Sequence, residues 1–144
     1  RLASLRERIP GLLQAAGTGH PELADSADVV RRALDLTLAS DTGRWILSGE
    51  HPEHDCELAL TGVLDGELIN AVIDRTFVDQ DGVRWIIDYK SGYHEGGDLD
   101  GFLREEAVRY RDQLSTYRRL FEQMGEHAIR TALYLPRHGR LQEV

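Results

Sequence analysis

Between Cys56 and Lys90 three strand-forming runs, "CELALTGVL", "ELINAVIDRTFV" and "VRWIIDYK", are separated by two hairpin signals, Asp65-Gly66 and Gln80-Asp81-Gly82. Runs rich in β-branched and aromatic residues, punctuated this way, close into an antiparallel meander. Turn length then converts sequence spacing into geometry. A three-residue loop with Gly82 left-handed pairs residue 79 with residue 83 and sets Asp74 opposite Asp88. One face would carry Asp74, Thr76, Arg84, Ile86, Asp88 and Lys90; the other, a core face, would carry Ile73, Phe77, Val83, Trp85, Ile87 and Tyr89. A slip of one residue would part the two aspartates, so the register is a sharp expectation.

A two-residue turn at Asp65-Gly66 pairs residue 64 with residue 67 and brings Glu57 opposite Asp74. Like charges facing one another destabilise a sheet. A cation in the gap would relieve them, and hard oxygen ligands beside Lys90 suit Mg²⁺ or Mn²⁺. A second reading stays open: Asp-x-Lys at a strand end, and Glu57 by itself, also occur on solvated surfaces, where an ion pair contributes little.

Around the meander the pattern is helical. "RLASLRERIPGLLQAAG" and "PELADSADVVRRALDLTLAS" read as two helices, the first broken near Pro10, the second with Val29, Val30, Ala33, Leu34 and Leu38 as its apolar side. Residues 41–55 read as a connection. After the Gly-rich loop "SGYHEGGDLD", the stretch "GFLREEAVRYRDQLSTYRRLFEQMG" aligns Leu103, Ala107, Tyr110, Leu114, Tyr117 and Phe121, with Gly125 as a stop. "HAIRTALYLP" reads as a fourth strand, and "LQEV" as a fifth or a tail. A chain of 144 residues fits one domain, 1–144, able to bury roughly two-thirds of its unfolded surface. The single cysteine, Cys56, forms no internal disulfide and reads as a small packed residue. No apolar run nears the roughly 20 residues of a membrane span, and no signal-like start is present, so a cytoplasmic location is expected. The chain opens at Arg1, which suggests a piece of something longer. A net charge of −8 counts against phosphate binding in general, yet carboxylates that hold cations also make a domain acidic.

The ordered set "NAVIDRTFVDQDGVRWIIDYKSG" then "YRDQLSTYRRL" resembles the RecB-type nuclease domains of the PD-(D/E)XK superfamily, found at the C-terminal end of UvrD-like helicase-exonucleases such as the AddA and RecB chains. The matching parts are an Ile-Asp-Arg strand, an Asp-Tyr-Lys strand and a Gln-x-x-x-Tyr helix, and "RTALYLPR" resembles the strand that follows them. The resemblance implies a restriction-endonuclease-like α/β fold, a central mixed sheet containing the antiparallel three-strand meander and flanked by helices. It implies a helical N-terminal part over 1–40, a catalytic core over 56–135, and metal-dependent cleavage of DNA by an exonuclease domain that works with a helicase motor at double-strand breaks. Asp74 and Asp88, with the Tyr89 backbone carbonyl, would hold the metal; Lys90 would orient the attacking water and offset charge on the phosphate. Gln113 and Tyr117 would support the site or DNA, although helical pattern alone equally makes Tyr117 core and Gln113 rim. Arg104, Arg111 and Arg118 could meet phosphates, or, like a Glu105 to Arg109 pair, serve a solvated face. Partners implied are DNA, an upstream helicase domain of the same chain and a second subunit.

The His-bearing helix that such domains carry ahead of the strands has no counterpart here; "GTGHPEL" offers His20, but in a Pro-containing break. An incomplete site, or a catalytically inactive nuclease fold serving DNA binding or scaffolding, is the alternative. "EHPEHD" places His51 and His54 among acids, which reads more readily as a Pro-containing solvated loop than as a second metal site. His94 shows no partner.

Overall fold

A computed structural model describes residue 12 and residues 23–144. The first expected helix, and His20 with it, lie outside the described residues apart from Leu12, which is buried. Helix α1 (Leu23–Ala39) leads into α2 (Asp41–Leu47), then strands β1 (Asp55–Leu64), β2 (Glu67–Val78) and β3 (Arg84–Tyr89), helix α3 (Leu99–Gln123), and strands β4 (Ile129–Leu135) and β5 (Arg140–Glu143). The five strands form one sheet in the order β1-β2-β3-β4-β5. The β1–β2, β2–β3 and β4–β5 pairs are antiparallel, and β3–β4 is parallel, with α3 as the crossover. "LQEV" thus supplies a fifth strand, and the sheet is mixed.

Turn chemistry sets the register expected from sequence. Asp65 and Gly66 both have positive φ (51° and 81°), the backbone of a two-residue hairpin, and Leu64 pairs with Glu67. Gly82 is left-handed at φ 78°, Asp79 N–H donates to the Val83 carbonyl, and Arg75 pairs with Ile87 down to Val78 with Arg84.

The centre of the sheet, β3 and β4, is covered on both faces, as a strand pair joined by a helical crossover requires, whereas one face of the outer β1–β2 hairpin is exposed at Val63, Leu68 and Val72. On one side Ile46 and Leu47 of α2, with Leu12, pack on Phe77, Trp85, Ile87, Tyr89, Ala132 and Tyr134. On the other, Leu103, Leu114, Tyr117 and Phe121 of α3 pack on Ile73, Ile86, Ile129, Leu133 and Leu135. Every residue of β3 is consequently buried, so the face carrying Asp88 is a second core surface and not a solvated one. Arg84 is tolerated there because Glu126 accepts from its Nε at 2.9 Å and the Glu53 carbonyl from its Nη1 at 3.0 Å.

Three expectations need correction. Residues 41–47 are helical: Ser40 caps α2 by accepting the Gly43 N–H at 2.9 Å, and a Cβ on Gly43 would stand 2.0 Å from the Thr37 carbonyl oxygen, so only glycine permits the tight approach of α2 to α1. On α1, Leu38 is 44% exposed, and Thr37 takes the inward position, where its hydroxyl accepts from Tyr134 Oη at 2.9 Å. Ile73 lies on the α3 side with Ile86, whereas Arg75 and Phe77 face α2. The strict alternation fails next to Asp74, opposite the point where Glu57 adopts φ 50°, a twist that re-aims both strands.

Candidate active site

The irregularity at Ile73-Asp74 sits where β3 ends, at the C-terminal edge of the parallel pair, the usual place for ligands in α/β sheets. Asp74 turns its carboxylate across to β3, where Oδ2 accepts the Tyr89 backbone N–H at 2.8 Å. That bond substitutes for the next ladder partner and holds Asp74 beside Asp88. Asp88 is buried at 4% exposure. The Lys90 ammonium lies 2.8 Å from Asp88 Oδ2, a charge-assisted contact that gives this carboxylate its partner within the site.

Helix α3 completes the group. Lys90 Nζ donates to Gln113 Oε1 at 3.2 Å, and Gln113 Nε2 donates to Tyr117 Oη at 2.7 Å. The ammonium also lies over the Tyr110 ring, 4.0 Å from its centroid. Residues 110, 113 and 117 follow one another at helical spacing, which is why one face of α3 can supply all three. Tyr110 had the look of an apolar stripe residue; its place three residues before Gln113 was the signal for a second role.

Electrostatics mark the cluster as strained without a further cation. Burial, then the Asp88 charge, push the Asp74 carboxyl up to about 7, against the Tyr89 N–H and Lys90, which lower it. Burial pulls on Lys90 in the opposite sense, but the Asp88 hydrogen bond and charge prevail and hold the ammonium above its ordinary value. Burial, followed by the Asp88 charge, raises the Tyr117 phenol. Two acids and one lysine therefore share a poorly solvated pocket, the setting in which a divalent cation is favoured.

The donor set fits such an ion in part. Asp74 and Asp88 offer hard oxygens from adjacent strands, and the Tyr89 carbonyl follows directly in the chain. Glu57 is not gathered in: it is exposed, and among the described residues no group of three His, Cys, Asp or Glu side chains is placed to hold a metal. His51 donates to the Trp45 carbonyl at 2.6 Å and stacks on Phe77, and His54 is exposed. Cys56 accepts from Arg75 Nη1 at 3.4 Å. Arg104 and Arg111 are exposed and Arg118 half-buried, with no ion pair among the described residues, while Arg109 meets Glu106 at 3.7 Å and not Glu105.

The metal-free protein has a pH signature. Because the Asp74 carboxyl titrates at about 7 in the folded state against an ordinary 3.8, the native state holds more protons between those values. Stability from this group is complete below the lower value and is lost as pH rises through the upper one. Urea denaturation in chelator should show stability falling from pH 5 to pH 7, with a slope no greater than ~1.4 kcal/mol per pH unit, the limit for one proton. Asp74→Asn should flatten that slope; an equally steep profile in the variant would refute the assignment.

No helix among the described residues is long and apolar enough to cross a membrane. None of the curated proteins matches the chain. A family model, that of the PD-(D/E)XK nuclease superfamily, matches residues 3–143. An α/β fold with a mixed sheet between helices is the restriction-endonuclease-like arrangement, and since the match runs almost from end to end, the chain belongs to the PD-(D/E)XK nuclease superfamily.

Proposed function

We propose that the chain is a metal-dependent DNA exonuclease domain, hydrolysing phosphodiester bonds at the Asp74–Asp88–Lys90 cluster. The observation that carries this reading is the convergence of one buried and one half-buried carboxylate with a lysine ammonium, 2.8 Å from the buried one, at the end of β3. Mg²⁺ or Mn²⁺ would be held by Asp74, Asp88 and the Tyr89 carbonyl, and the ion's chemistry is to polarise a phosphoryl oxygen and make water available as a nucleophile near neutral pH. Lys90 stands ready to offset charge that builds on the phosphate, and Gln113, Tyr117 and Tyr110 hold its ammonium in place. Arg104, Arg111 and Arg118 remain available for phosphates along α3.

The motif order Ile-Asp-Arg, Asp-Tyr-Lys, Gln-x-x-x-Tyr supports a narrower kinship with the RecB-type domains, and with it a helicase motor as partner and broken DNA ends as substrate. End-labelled linear DNA incubated with the protein and Mg²⁺ or Mn²⁺ tests the chemistry: cutting should appear with metal and stop in chelator. Cutting that persists in chelator would sink the mechanism.

One observation favours a second reading, a nuclease fold retained for DNA binding or scaffolding: only two acidic side chains meet at the cluster among the described residues. Mn²⁺ titration followed by calorimetry separates the two, since a scaffold has no need to bind the ion between Asp74 and Asp88.

A further inference from the structure

The loop that follows Lys90 is built from rings. Tyr93 stacks on His138, with centroids 4.9 Å apart and planes at 12°, and His94 stacks on Phe102 at 5.1 Å and 13°. Phe102 also reaches His138, tilted at 5.9 Å. The His94 backbone N–H donates to His138 Nε2 at 3.0 Å, and a His94 ring nitrogen meets the Gly97 carbonyl at 2.8 Å. These bonds tie the loop to α3 and to the β4–β5 turn despite its glycines. Burial, then the charges of Arg137, His94 and Arg140, keep His138 below its ordinary value, so it stays neutral and able to accept the His94 N–H.

Within this assembly Tyr93 is the residue left open to solvent, at 49% exposure. The Arg137 guanidinium lies over its ring, 4.4 Å from the centroid. Tyr93 follows Lys90 by three residues, so the two Cα atoms are no more than ~11 Å apart. The loop lies on the α3 side of the sheet, as Lys90 does, because a Cβ built on the intervening Gly92 would meet Phe102 at 3.2 Å and Glu106 at 3.5 Å.

We propose that Tyr93, stacked with His138 and packed against Arg137, is a stacking platform for an unpaired nucleobase of the DNA strand that enters the Lys90 site. The inference rests on the nuclease reading above and names its substrate class, a single-stranded end. A paired base has both faces covered by its neighbours, whereas an unpaired one can lie on an aromatic ring or guanidinium plane. The Arg137 guanidinium, packed on the same ring, is placed to meet the adjoining phosphate. Net charge argues for the same division of labour. A net charge of −8 weakens the attraction for phosphate as a whole, and Arg140 is already bonded to Asp100 at 2.9 Å, so stacking adds affinity that charge alone does not supply.

The test is binding in chelator, where no strand is cut, using a short single-stranded oligonucleotide that carries 2-aminopurine, beside the matching duplex. Tyr93→Ala should bind the single strand about tenfold more weakly and lose the quenching of 2-aminopurine that stacking causes, while Tyr93→Trp keeps both. The Tyr93 loss should be the same at low and high salt, and Arg137→Ala should instead reduce the salt dependence. Equal affinity and quenching in wild type and Tyr93→Ala, an equal loss on duplex, or no binding of the single strand by wild type overturns the platform. Metal-dependent cutting accompanied by Tyr93-independent binding would remove the platform and leave the nuclease reading intact. Tyr93-dependent stacking in a protein that never cuts would do the reverse.

Discussion

Lys90→Ala should lower DNA cleavage by at least about 100-fold while the Mg²⁺-loaded protein keeps its circular dichroism and its melting temperature. The lysine is placed by three contacts within the site: Asp88 at 2.8 Å, Gln113 at 3.2 Å and the Tyr110 ring at 4.0 Å. Removing it leaves Asp88 buried beside Asp74 without its counter-charge, so a cost to stability is expected in chelator above about pH 7, where Asp74 loses its proton, and not in saturating Mg²⁺. That conditional penalty distinguishes a lysine serving a metal site from one serving a surface ion pair, whose loss would be small under both conditions. Lys90→Arg should not rescue cleavage, because a planar guanidinium cannot occupy the point position between Asp88, Gln113 and the Tyr110 face. Gln113→Leu should fall between wild type and Lys90→Ala, since it frees the ammonium without deleting it. Full cleavage by Lys90→Ala would end the proposed mechanism.

The register that brings Asp74 to Asp88 was legible in sequence because it depends on local chemistry. Asp65-Gly66 and Gly82 take left-handed backbone that few other residues adopt, and loop length does the rest. The Gln113–Tyr117 contact was legible for a similar reason, a four-residue spacing on an uninterrupted helix. What escaped the sequence depends on tertiary approach. Helix α2 has only seven residues and exists through a Ser40 cap and the room Gly43 leaves for Thr37, neither of which a periodicity search detects. The switch that puts Ile73 and Asp74 where they are is marked by a glutamate at φ 50°, a conformation its residue type does not announce. β3 looked polar on one side because Arg84 and Asp88 stand there, yet both are buried, one paired with Glu126 and the other with Lys90. The ring assembly around His138 joins residues 44 positions apart and has no linear signature.

Arg75→Met is expected to cost about 3–5 kcal/mol in urea denaturation, the largest stability loss from a single side chain near the site. Arg75 is fully buried on the α2 side of the sheet. Its charge is met by carbonyls: Nε donates to Ile46 at 2.7 Å and Nη2 to Ser48 at 2.7 Å, while Nη1 reaches Cys56 Sγ at 3.4 Å. Those two carbonyls belong to the end of α2, where unpaired C=O groups and the helix dipole both favour a cation. A methionine fills the volume but strands both oxygens away from water, so the loss is one of hydrogen bonding and not of packing. Arg75→Lys should recover only a fraction, because one ammonium cannot span both carbonyls and the sulfur. The effect should reach the site as well. Arg75 anchors β2 to α2 at the residue after Asp74, the point where the strand departs from alternation so that Asp74 can face Tyr89 and Asp88. In Mg²⁺ at a temperature where Arg75→Lys is still folded, cleavage should therefore drop more than the folded fraction does. Cleavage that tracks the folded fraction alone would show that Arg75 supports the domain without aiming Asp74.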